Sequence, residues 1–151
     1  MAGRGQGAAY QGMNWIRGPK RYAIYYRDRD PVTGNFRCLW CNQQVWPWLK
    51  GKGRRRRICL DHLIPWHAGG NNTPHNLVTS CDICNNVRGG QSWEDLIDSD
   101  SLDEATYQRI QERICRPLTD EEKQAGQKLW DTREKNKKTS TSMLPYWNEN
   151  V

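Results

Sequence analysis

The 151-residue chain reads as a small α+β fold: a strand, a loop, a second strand and a helix at the centre, with further helices around them. Three observations predict it. Arg57 to Ile64 alternates at the period of a half-buried strand, and Asn76 to Thr79 supplies a second short one. Asp82 to Arg88 reads as a helix stopped by Gly89-Gly90. Two Cys-x-x-Cys pairs, Cys38/Cys41 and Cys81/Cys84, flank the first strand with the two-plus-two spacing of a closed tetrahedral zinc site.

Taken in order, residues 1–14 are Gly-rich and lack periodicity, so a flexible tail is expected. Pro19 to Asp30 suits a helix, with Pro near its start and Tyr22, Tyr25 and Tyr26 on adjoining faces. Asp30 to Asn35 is a turn. Phe36 to Trp40 reads as a short strand entering the first Cys pair. Trp46-Pro47-Trp48 and Gly51-Lys52-Gly53 mark a loop. Its two tryptophans either stack on bases or cap a small core, and the second reading is favoured.

In the first strand Ile58, Leu60 and His62 share one face, and Cys59, Asp61 and Leu63 the other. Alternation therefore parts Asp61 from His62, and a bend or bulge is expected if both are to serve one centre. Pro65 ends the strand, and Gly69 to Pro74 form a loop. Three amphipathic helices are expected beyond Gly90. Ser92 starts the first, while Ser101/Glu104 and Thr119/Glu122 have the spacing of capping boxes. Leu102, Ile110 and Ile114 line the second helix, Leu129 and Trp130 the third, and Pro117 separates the two. The expected organisation is a tail (1–14), a central domain (15–90), a helical extension (91–135) and a polar tail (136–151).

Leu, Ile, Val and Phe number only 24 of 151 residues, a thin aliphatic supply for a core. Eight Trp and six Tyr offset this with large burial units, and a structural metal would add what a small core lacks. No apolar run is long enough to span a bilayer, and no signal-peptide core stands at the start, so a soluble, reducing compartment is expected. Disulfides do not suit that setting, which favours zinc over oxidised pairs. Cys59 and Cys115 match no ligand position and read as core thiols.

Charge is unevenly placed. Residues 1–57 hold 13 Lys/Arg against 2 acids, whereas residues 58–151 hold 10 against 15. A basic front half suits a polyanion. Arg54, Arg55, Arg56 and Arg57 lie just before the first strand, where phosphate contact is favoured over a solvated loop or a nuclear-import signal. Asp61, His62 and Asn85 supply a carboxylate, an imidazole and an amide oxygen. That set suits a hard metal ion with a general base beside it.

The ordered run Cys38/Cys41, Asp61-His62-Leu63-Ile64-Pro65, Gly69-Gly70, Asn76-Leu77 and Cys81/Cys84-Asn85 resembles the HNH endonucleases, the ββα-metal nucleases, in their zinc-containing branch and phage-type members. The resemblance covers roughly residues 20 to 90. It implies a ββα-metal core and hydrolysis of DNA phosphodiester bonds. It makes His62 the general base, Asp61 and Asn85 the ligands of Mg²⁺ or Mn²⁺, Asn76 a brace for the loop that orients His62, and Arg88 a backbone-phosphate contact. A junction-resolving nuclease of the endonuclease VII type is a close alternative. A non-catalytic zinc ribbon that binds nucleic acid is the alternative of another class. DNA is the expected partner, as monomer or homodimer, in the cytoplasm or in the host cell if phage-encoded.

Overall fold

The computed structural model describes residue 16, residues 18–47 and residues 56–139. The expected N-terminal tail, Trp48, Gly51 to Gly53, Arg54, Arg55 and residues 140–151 lie outside the described residues.

Helix α1 spans Pro19–Arg27, with Pro in its first turn, where the missing N–H costs nothing. It buries Tyr22, Ala23, Ile24, Tyr25 and Arg27, so the helix is enclosed on most of its circumference. After it, Asp30 Oδ1 accepts from the N–H groups of Val32 (2.8 Å) and Thr33 (3.3 Å), which makes the expected turn. The predicted strand at 36–40 is not one. Arg37 and Gln44 form a single antiparallel bridge, and the chain reverses between them. Cys38 N–H donates to Gln43 O, Asn42 N–H to Cys38 O and Val45 N–H to Phe36 O, with Asn42 at φ 62°. A reversal this tight leaves no length for a ladder.

Strand β1 (Ile58–His62) pairs antiparallel with β2 (Leu77–Cys81), from Ile58 opposite Cys81 to His62 opposite Leu77. The register is continuous, so the bulge expected near Asp61 does not form. Asn76 sits in a 3₁₀ turn, Pro74–Asn76, just before β2 rather than within it. Helix α2 (Asp82–Arg88) follows β2 directly, with Cys81 as its N-cap. Strand, loop, strand and helix thus follow in the predicted order.

The two-stranded ribbon divides two small cores. Ile58, Leu60, Leu77 and Cys81 face a cluster with Tyr22, Ile24, Tyr25, Cys38 and Val45. Val78 and Leu63 face another with Leu39, Trp93 and Ile110, and Trp40 packs against both. Helices α3 (Trp93–Asp98) and α4 (Glu104–Ile114) close the second core. The spacing of Ser101 and Glu104 misplaces the cap of α4. Asp103 stands nearer the first turn and accepts from Thr106 N–H at 2.7 Å, while Ser101 Oγ meets Ser99 Oγ.

Helix α5 (Asp120–Thr139) lies against α1, and its Leu129 and Trp130 reach the first core as expected. Gly126 permits this approach. A Cβ there would stand 2.5 Å from both Ala23 N and Pro19 O. The helix runs past the expected boundary at 135, and Asn136 is buried. Cys115, read as a core thiol, is exposed at the end of α4.

Among the described residues, no helix is long and apolar enough to cross a membrane.

Candidate metal centre and active site

The reversal after α1 carries Cys38 and Cys41, and the β2–α2 junction carries Cys81 and Cys84. Their four sulfurs all lie within 4.8 Å of one another. A tetrahedral Zn²⁺ with bonds of about 2.3 Å needs sulfur separations of about 3.8 Å, and Cys41 and Cys81 stand 3.9 Å apart. Donor type and spacing are therefore compatible with a zinc site. Leu39 N–H donates to Thr79 O at 2.9 Å, which ties the first pair to β2.

Burial pushes the Cys38 thiol up to about 12 and raises Cys84 as well. Cys81 is also pushed up by burial, but the Cys84 N–H and the Arg56 guanidinium outweigh that and hold it below its ordinary value. Arg56 NH1 donates to Cys81 Sγ at 3.2 Å. Arg56 thus points onto the sulfurs of this cluster. Arg57 is exposed.

Asp61, His62 and Asn85 line one pocket of about 230 Å³, together with Leu60, Pro65, Trp66 and Gly89. Alternation does part Asp61 from His62, yet both line the same pocket at the end of β1 with the strand register unbroken. Asp61 is 6% exposed, and its Oδ2 accepts from Arg88 NH1 (2.6 Å) and Trp40 Nε1 (3.0 Å). Burial raises its carboxyl above the usual range, opposed by Arg88 and Trp40.

The Arg88 side chain is 7% exposed, and its guanidinium lies 4.3 Å from the Trp40 ring centre and donates to Asp61 and to the carbonyls of His62 and Gln91. These contacts brace Asp61. Neither Trp40 nor this pairing had a signal in the sequence, since both arise only when α2 closes on β1.

His62 is half-buried, and its Nε2 lies 2.7 Å from Asn72 Oδ1. Asn72 was not singled out in the sequence; the adjacent Asn71-Asn72-Thr73 reads only as a loop. Asn76 is buried, and its side chain bonds to backbone on both sides of that loop. Its Oδ1 accepts from Ile64 N–H at 2.9 Å, and its Nδ2 donates to Ile64 O (3.0 Å) and Asn71 O (2.9 Å). Gly70 is required here, because a Cβ would stand 1.7 Å from Ile64 O. The remaining histidines are not among the residues that line this pocket. His75 Nδ1 meets Ile114 O at 2.6 Å, and His67 sits over Gly90, where a Cβ would fall 2.8 Å from its Nε2.

Searches of curated proteins and of solved structures return no match to this chain. Residues 48–91 match the family model described as HNH endonuclease, a stretch that carries β1, the loop, β2 and α2 but begins after the first cysteine pair. With Asp61, His62 and Asn85 on one pocket inside that stretch, this part of the chain is similar to the HNH endonucleases.

Proposed function

We propose that the chain is a metal-dependent DNA endonuclease that hydrolyses phosphodiester bonds at the end of β1. The observation that carries this reading is the convergence of Asp61, His62 and Asn85 on one pocket. A carboxylate and an amide oxygen are hard donors, so Asp61 and Asn85 fit Mg²⁺, with Mn²⁺ as a substitute. Oδ2 of Asp61 is engaged by Arg88 and Trp40, which leaves Oδ1 for an ion. When bound, such an ion offsets charge that grows on the phosphate oxygens in the transition state.

His62 takes the proton from the attacking water. The new phosphorus–oxygen bond forms as the bond to the 3′ oxygen breaks, and that oxygen then takes a proton from solvent. The products are a 5′-phosphate and a 3′-hydroxyl. The four thiols hold a structural Zn²⁺ that fixes the start of α2, and hence Asn85, against β1.

Supercoiled plasmid incubated with and without Mg²⁺ tests the reading. His62→Ala should keep fold, zinc and DNA binding and lose cleavage by about two to four orders of magnitude, the usual worth of a general base. Asn85→Ala should instead raise the Mg²⁺ concentration needed for activity. DNA binding without cleavage by the parent would leave a zinc ribbon that only binds. A folded, zinc-loaded His62→Ala that cuts at the parent rate would refute the mechanism.

A further inference from the structure

We propose that Asn72 is a positioning residue for this reaction: its side-chain carbonyl fixes neutral His62 as the Nε2–H tautomer and leaves Nδ1 as the proton acceptor. The inference rests on His62 being the base. A neutral imidazole has one N–H and one lone pair, and the partner of one nitrogen decides which the other carries. His62 Nε2 lies 2.7 Å from Asn72 Oδ1, a distance at which a carbonyl oxygen accepts from an N–H. The other tautomer would present an N–H to the attacking water and could not take its proton.

Asn72 is itself held from two sides. Its backbone carbonyl accepts from Lys20 Nζ at 2.7 Å, which ties it to α1. The carbonyl of its neighbour Asn71 accepts from Asn76 Nδ2 at 2.9 Å, and Asn76 is locked to both backbone groups of Ile64. Asn76 therefore acts on His62 through Asn72, and Lys20 reaches the same ring by the same route. His62 is the last residue of β1, next to the loop that carries Asn72.

Ring-¹⁵N NMR and steady-state kinetics test this on the full, zinc-loaded chain. The parent should show a protonated Nε2 and an unprotonated Nδ1. The Nε2 proton should exchange slowly with water. Asn72→Leu should lose that slow proton and shift toward a tautomer mixture. Its kcat should fall about ten- to a hundredfold, the usual cost of losing a partner that orients a site histidine, with KM for DNA and zinc content unchanged. Asn72→Asp keeps an acceptor oxygen and should restore the tautomer and most of kcat. Should the leucine variant fail to fold, Asn72→Ala carries the same test.

A parent with Nδ1 protonated would overturn the proposal, and so would a reversed amide donating to Nε2. An Asn72→Leu protein with the parent's tautomer or kcat, or an aspartate variant that rescues neither, would overturn it too. Failure of the base assignment reads out separately. Cleavage by His62→Ala, or none by the parent, sinks that assignment, while the NMR still decides the tautomer.

Discussion

Two buried ion pairs hold the ribbon in place, and each does so through backbone as well as charge. Arg27 and Asp28 have no exposed side-chain surface, and Asp28 Oδ2 also accepts from Thr79 N–H at 2.8 Å. Arg27 donates to Pro74 O (2.8 Å) and Leu77 O (2.6 Å), so it fixes the turn that carries Asn76. Arg88 and Asp61 form the second pair across the candidate site. Replacing one partner of such a pair leaves an uncompensated buried charge, a cost of about 3–5 kcal/mol. Arg88→Met should therefore unfold at much lower urea concentration than the parent, by about that margin, whereas loss of a surface arginine costs less than about 1 kcal/mol. Equal denaturation midpoints would show that the Arg88–Asp61 pair does not support the fold. The chemistry of Arg88 was legible in the sequence but its partner was not, since Asp61 lies 27 positions away on the opposite side of a loop.

Caps show why one spacing rule succeeds at one helix and fails at the next. At α5, Thr119 Oγ1 accepts from Glu122 N–H (3.1 Å) and Glu122 Oε1 accepts from Thr119 N–H (2.9 Å), the reciprocal box that the sequence predicts. Ser101 and Glu104 have the same spacing, but Asp103 is a stronger acceptor one residue before α4 and takes the cap. Local rules thus locate β1, β2 and α2 within a residue or two and the start of α1, which ends three residues before the expected Asp30; they err where two local acceptors compete or where a tight reversal replaces a strand. Thr119→Ala should cost about 0.5–2 kcal/mol in equilibrium unfolding. Glu122 adds a pH dependence. Burial pushes its carboxyl up, but Arg116, at 2.9 and 2.7 Å, and the Thr119 N–H more than offset this and hold it below its ordinary 4.5. A depressed carboxyl contributes stability that is complete above its unfolded value and fades as pH falls through the folded one. Glu122→Gln should therefore narrow the gap between stability at neutral pH and stability at acid pH. A parent-like difference in unfolding free energy between about pH 7 and pH 3 would show that the pair is not coupled to folding.

For the whole molecule, the four sulfurs stand where the separate parts meet. Cys38 and Cys81 belong to the first core; the chain beside Cys38 is tied to β2, and Cys81 begins α2. The aliphatic supply is only 24 of 151 residues and is split between two small clusters. A bound structural zinc contributes about 10–16 kcal/mol of apparent free energy at neutral pH, comparable with the roughly 5–15 kcal/mol net stability of an ordinary domain. The metal-free chain should then lack a cooperative fold. One zinc per chain is expected by metal analysis, and a strong chelator should abolish the thermal unfolding transition along with the near-ultraviolet signal of the buried Tyr22, Tyr25 and Trp93. Cys81→Ser should do the same without chelator, because it removes both a ligand and the sulfur that caps α2 by accepting from Cys84 N–H at 3.3 Å. Cys59→Ser separates thiol loss from metal loss. That sulfur is half-buried beside Ser80 O at 3.6 Å, outside the four-cysteine cluster, so the variant should keep its zinc and its transition. Zinc-free protein that still unfolds cooperatively would show that the two cores and the buried ion pairs suffice without the metal.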